Sequence, residues 1–283
     1  MSERMVELNM CDQYVICETC GVQYGTPMNN CPICEDERQY VGWSGQRWTT
    51  LAELKAAGYK GVLAEEGPGL IGIGSEPKTG IGQRALLART PSGNVLWDMT
   101  TYLDDDLIAQ VNDIGGVDII AISHPHFYGS MVEWAHAFDA PIFIHAADRK
   151  WLPRLDDSIV LWRGDTTEVA DGVTLINAGV HFAGGQVMHW QDGEHGQGAL
   201  LTGDIFHVVQ DRRHVSFMYS YPNFIPERPR RVRRALRLVE NFPYQRVYGA
   251  TWNRLIDTNG VEAVSRSAER YLDHALDGPD ERL

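Results

Sequence analysis

Two groups of residues in this 283-residue chain have the types and spacing of metal ligands. Cys17-Glu-Thr-Cys20 and Cys31-Pro-Ile-Cys34 form two C-x2-C pairs with ten residues between them. Each C-x2-C turn can aim two thiolates at one point, and two such turns supply the tetrahedral sulfur set that zinc favours. Four thiolates leave no open position, so a metal here folds the segment and performs no chemistry. The second group is spread along the chain. The apolar run 117–123 leads into His124-Pro-His126, the run 173–180 ends at His181, and the run 199–203 ends at Asp204. A lone strand-end histidine is more often structural than a ligand. The two histidines of His-x-His can share one metal ion, and three strand ends bearing His-x-His, His and Asp in this order are harder to dismiss.

The other candidates carry weaker signals. His145 closes the run 141–144 and is either a replacement ligand, an acid/base or a structural end residue. His207, three residues past Asp204, poses the same choice, whereas His189, His195 and His214 read as solvated or structural. Tyr128 is an oxyanion donor or, as aromatics beside core strands more often are, a packing residue. Cys11 stands apart from the pairs and reads as a spare thiol.

These residues need strands to carry them. The runs 85–89 and 94–98, joined by Thr90-Pro-Ser-Gly93, predict a hairpin. Further strands are expected at 117–122, 141–144, 173–178, 185–190, 198–202 and 245–248, with helices at 104–114, 129–138, 229–240 and 260–276. Hairpins early and strand–helix units later suggest two sheets with helices outside. Residues 1–42 lack the apolar runs for a core of their own and need a metal staple, so a boundary is expected at 42, with a larger domain over 43–283. Six arginines lie between Arg228 and Arg237, and helical spacing of Val232, Leu236 and Val239 places them on a solvated face; binding of an anionic group is the alternative. A net charge of −13 argues against nucleic acid and anionic membranes as partners. The opening MSERMVELNMCDQ lacks a signal-peptide pattern and no run is long enough to span a bilayer, so a cytoplasmic protein is expected.

The order and spacing of the histidines resemble the metallo-β-lactamase superfamily. The likeness runs from about Gln83 to the last helix and covers 85–98, 123–129, 178–185 and 202–206. It implies an α+β fold, an αββα sandwich with a metal site at its strand ends, here carrying a small N-terminal zinc knuckle. It also implies that His124, His126 and His181 are the ligands of the first metal site, and that Asp204 is the carboxylate that normally bridges two metals. Tyr128 and Gly129 stand where the family has Asp and His, and the segment Tyr248-Gly-Ala-Thr-Trp-Asn253 lacks the family's last His. The expectation is therefore a mononuclear centre. The two cysteine pairs also resemble the knuckles of rubredoxin, although the loop between them is much shorter.

The resemblance implies a hydrolase acting on a small-molecule ester, lactone, thioester, β-lactam or phosphodiester. Its metal would lower the pKa of a bound water from about 16 toward about 7, with Asp204 holding that water or taking its proton. Zinc is expected at both centres; iron suits either donor set. Mononuclear-iron sulfur oxidation or electron transfer on the same fold, and a non-catalytic metal-binding module, are the competing functions.

Overall fold

A computed structural model describes residues 12–276; Cys11 lies outside them. Near the N-terminus, β1 (Val15–Cys17) pairs antiparallel with β2 (Gln23–Tyr24) and with β3 (Trp48–Thr49). This small sheet thus takes its third strand from beyond residue 42. A short helix, α1 (Leu51–Ala56), follows, capped where the Thr50 side chain accepts from Glu53 N.

The rest of the chain forms two larger sheets. The first has seven strands that lie side by side in chain order. Its antiparallel part comprises β4 (Lys60–Gly67), β5 (Leu70–Glu76), β6 (Ala85–Ala88) and β7 (Val95–Trp97). Its parallel part continues through β8 (Ile119–Ala121), β9 (Ile142–His145) and β10 (Ile159–Trp162). Parallel neighbours need crossovers, and α2 (Asp105–Asp113) and α3 (Met131–Phe138) supply two of them. Asp104 sets the start of α2 by accepting from Leu107 N at 2.7 Å, as an N-cap aspartate should.

The second sheet has six strands. Its order begins with β11 (Thr166–Ala170), β12 (Val173–Asn177), β13 (Gln186–Trp190) and β14 (Ala199–Gly203). The order ends with β15 (Arg246–Gly249), parallel to β14, and β16 (Leu255–Ile256). Two helices, α4 (Pro229–Val239) and α5 (Gly260–Ala275), cover its outer face.

Alternation along the strands sorts the apolar residues into three layers. Leu86, Ala88, Trp97 and Ala121 meet Leu175, Met188, Ala199 and Leu201 between the sheets. Their strand neighbours Ala85, Leu87 and Leu96 face outward with α2, α3 and the cysteine segment. Ile176, Val187 and Leu200 face α4 and α5. This is the expected αββα sandwich. On α4, Val232, Ala235 and Val239 are buried as the spacing predicts, and Arg234 reaches over to donate to Asn177 O at 2.7 Å. No helix among the described residues is long and apolar enough to cross a membrane.

Candidate functional site

Each strand end delivers its residue to one corner of the sandwich. After β8 a 3-10 turn at Pro125–Phe127 carries His126 beside His124. His181 lies in the turn between β12 and β13, and Asp204 follows β14 directly. One ligand atom from each of His124, His126, His181 and Asp204 lies within 4.8 Å of the others, and Cys17, Cys20, Cys31 and Cys34 meet the same limit in a separate cluster. Among the described residues these are the only groups of three or more His, Cys, Asp or Glu placed to hold a metal ion.

The histidine cluster fits a cation on its own chemistry. Asp204 Oδ1 is 3.2 Å from His124 Nε2, and His181 Nε2 is 3.3 Å from His126 Nδ1. His124 Nε2 and Asp204 Oδ1 are buried with no hydrogen-bond partner. Burying orphaned polar atoms is costly unless something else satisfies them, and converging lone pairs are what a metal neutralises. The outward nitrogens fix two of the rings. His181 Nδ1 donates to Tyr219 O at 2.9 Å, and with His124 Nε2 turned inward its Nδ1 donates to Ser123 Oγ at 2.9 Å.

Burial sets the charges. It holds His124 and His126 well below the usual imidazole range and lowers His181 to about 3, with the Arg38 charge adding to the effect in each case. Burial together with the Asp98 carboxylate raises Asp204 to about 8. The cluster therefore presents neutral imidazoles ready to coordinate. Only the Asp204 side chain keeps appreciable exposure, 14 %, so approach is from its side.

The cysteine cluster also fits a metal. Its sulfur contacts of 3.6 Å (Cys17–Cys34) and 3.7 Å (Cys20–Cys31) are too long for disulfides. They match the edge, about 3.8 Å, of a tetrahedron with metal–sulfur bonds of about 2.3 Å. Hydrogen bonds from the other three thiols push the Cys17 thiol well below its ordinary value, and Gln46 Nε2 donates to its sulfur at 3.2 Å.

The other sequence candidates lie elsewhere. His145 is not part of the ligand set: its Nδ1 accepts from Ala147 N at 3.3 Å and its Nε2 lies 3.2 Å from Gly164 O. Tyr128 is fully buried and its Oη has no partner. His207 lies with its ring centre 5.1 Å from that of Tyr221, the two planes tilted by 52°.

Several residues at the site escaped the sequence reading. Asp98 accepts from Ser123 N at 2.7 Å and so backs His124. Its signal, an acid at the end of the apolar run 94–98, is the same one that marked Asp204. Glu227 accepts from His181 N at 2.8 Å. Arg38, from the cysteine segment, donates to His181 O at 3.2 Å, and its guanidinium lies 3.9 Å from the centre of the Phe182 ring. Glu227 and Arg38 lie 46 and 143 residues from His181, and no local pattern could have announced them.

Comparisons with known proteins agree with this geometry. The sequence model of the metallo-beta-lactamase superfamily matches residues 79–251. A relative from Bacillus subtilis (strain 168), the uncharacterized protein YmaE, is 46% identical over 263 residues, covering 92% of this chain and 96% of its own. Among solved structures, VMB-1 superposes with a TM-score of 0.58 at 14% identity, over 77% of this chain and 99% of its own. The mono-zinc form of the metallo-beta-lactamase FIM-1 from Pseudomonas aeruginosa gives 0.55 at 14% identity, over 74% and 95%. The fold, the order of the ligands and the family match together place this chain in the metallo-β-lactamase superfamily, with a four-cysteine knuckle at its N-terminal end.

Proposed function

We propose that the chain is a hydrolase using a single metal ion, most simply zinc, held by His124, His126, His181 and Asp204. Its substrate is a small molecule with an ester, lactone, thioester, β-lactam or phosphodiester bond. One observation carries this reading: four buried ligand atoms lie within 4.8 Å of one another, three of them imidazole nitrogens already neutral. A cation held there supplies a Lewis acid that polarises an acyl or phosphoryl oxygen and acidifies water. The chain's own residues do the rest. Ser123 Oγ and Tyr219 O orient His124 and His181. Asp204 turns Oδ1 toward His124 and, as the group open to solvent, can take the nucleophile's proton on Oδ2. Tyr221 Oη donates to Asp204 O and fixes that turn. A single metal is favoured because no further ligand cluster stands beside the four among the described residues.

The test is a hydrolysis panel with one member of each bond class, run on wild type and on Asp204→Asn with metal content measured in parallel. Asparagine preserves shape but cannot accept the proton, and turnover should fall by about 100- to 10,000-fold. Metal-loaded wild type that turns over nothing, while His124→Ala lowers only the melting temperature, would make this a non-catalytic metal-binding module. The same donors also accept iron, and iron in the purified protein would redirect the reading to mononuclear-iron redox chemistry.

A further inference from the structure

The cysteine knuckle touches the histidine centre through the backbones of two of its ligands. Gln83 is buried, and its Nε2 donates both to Cys20 O and, at 3.0 Å, to His126 O. One amide nitrogen thus joins a ligand residue of each cluster. Four residues beyond Cys34, Arg38 is gripped by Asp36 through Nε at 2.6 Å and Nη2 at 2.8 Å, leaving Nη1 for His181 O. Two flanking contacts make the junction continuous: Gln23 N donates to Gly129 O at 2.9 Å, and Thr101 Oγ1 donates to Gly21 O at 2.8 Å. The arm is anchored on its far side too, where Glu37 O accepts from Asn223 Nδ2 at 2.8 Å and Glu37 Oε1 accepts from Tyr219 Oη at 2.6 Å. Tyr219 is the residue whose carbonyl takes the His181 Nδ1 proton.

His181 needs this support. It holds φ at +64°, a left-handed conformation that a residue with a Cβ adopts only when its surroundings enforce it, at a cost of about 1–3 kcal/mol. Three contacts do so: Glu227 on its N–H, Tyr219 on its ring and Arg38 on its carbonyl. The last comes from the knuckle, and the Tyr219 side chain is tied to the same arm. Residues 12–50 supply few core residues besides the cysteines themselves, so the fold of this arm depends on its own metal.

We infer that Gln83 and Arg38 are positioning residues through which metal binding at the four cysteines preorganises the histidine centre, so that the two centres bind metal cooperatively. The inference rests on the proposed occupancy of both centres but not on the reaction. Filling the cysteine site fixes Cys20 O and the arm carrying Arg38, which in turn hold the carbonyls of His126 and His181. Outer contacts of this kind typically change metal affinity by about 10- to 100-fold.

The experiment measures affinity at the histidine centre of the full chain by competition with a chromophoric chelator too weak to strip the cysteine site. Gln83→Met keeps length and burial but has no N–H to donate. Arg38→Lys keeps the charge but cannot grip Asp36 and His181 O together. Each should weaken the histidine centre by about 10- to 100-fold with one metal retained on the cysteines, and cobalt at the histidine centre should show a shifted visible spectrum. Affinities within twofold of wild type for both variants overturn the inference. Wild type gives a second test that needs no substitution. Extracting the cysteine-bound metal with a thiol-specific mercurial, with far-UV circular dichroism retained, should lower affinity at the histidine centre by a similar factor; an unchanged affinity overturns the coupling. Since metal affinity is the readout, an inactive wild type showing these losses supports the coupling while removing the hydrolase reading.

Discussion

The residues around the histidine centre divide by the proton each must hold. The imidazoles are neutral before any metal arrives, His181 being lowered to about 3 by burial, whereas Asp204 keeps its proton up to about 8. Metal and proton therefore compete at Asp204 alone. Below about 8 each metal bound expels one proton, so affinity should rise about tenfold per pH unit toward 8 and flatten above it. Chelator competition across that range checks the sign; affinity that is flat below 8 would show that Asp204 is not a ligand. Tyr128 presents the opposite case, a buried hydroxyl without an acceptor. Tyr128→Phe should leave metal affinity and turnover unchanged and stabilise the fold by about 1–3 kcal/mol in denaturant unfolding. A fall in kcat of about 100-fold would instead make Tyr128 an oxyanion donor. At this scale the sequence was most legible for ligands at the ends of apolar runs. It was silent about the groups that orient them, because Glu227, Tyr219 and Arg38 meet His181 only after both sheets have closed.

Strand ends are the elements that matter most, and Gly203 shows why. This last residue of β14 has φ +53°, and a Cβ there would lie 2.7 Å from Ser123 Oγ and 3.0 Å from Asp98 Oδ2. Only glycine lets the strand turn Asp204 toward His124 while Asp98 and Ser123 pack behind it. Gly203→Ala should cost about 1–3 kcal/mol of backbone strain and weaken metal binding at the histidine centre while the cysteine-bound metal persists. Unfolding curves paired with metal counts test both, and a substitution without effect on either would show that this turn is not what positions Asp204. The strands carrying ligands were readable because burial makes them apolar, as in Ala199–Gly203. The hairpin of Lys60–Gly67 and Leu70–Glu76 is hard to read from sequence, since no residue of Lys60–Gly67 is buried and the strand reads as polar. The 3-10 turn at Pro125–Phe127 delays the helix expected from 129, so that Met131–Phe138 begins only after His126 has been placed.

On the scale of the whole molecule, the two sheets provide the corner and the N-terminal segment closes one side of it. Ile16, Val22 and the four cysteines belong to the same apolar cluster as Leu87, Leu96 and Ile120. A metal in the knuckle therefore sits against the sandwich rather than on a separate body. The sequence announced both ligand sets but not their contact, because Gln83 and Arg38 are polar residues of ordinary sequence context that acquire meaning only in three dimensions. Two separate ligand sets of different chemistry imply two separately held metals. Elemental analysis of protein purified without added metal, run on wild type and His181→Ala side by side, tests this most directly. Two metals per wild-type chain and one in the variant are expected, the one remaining being held by the cysteines. One metal per wild-type chain, unchanged by the substitution, would contradict a metal at the histidine centre, and three would contradict its being mononuclear.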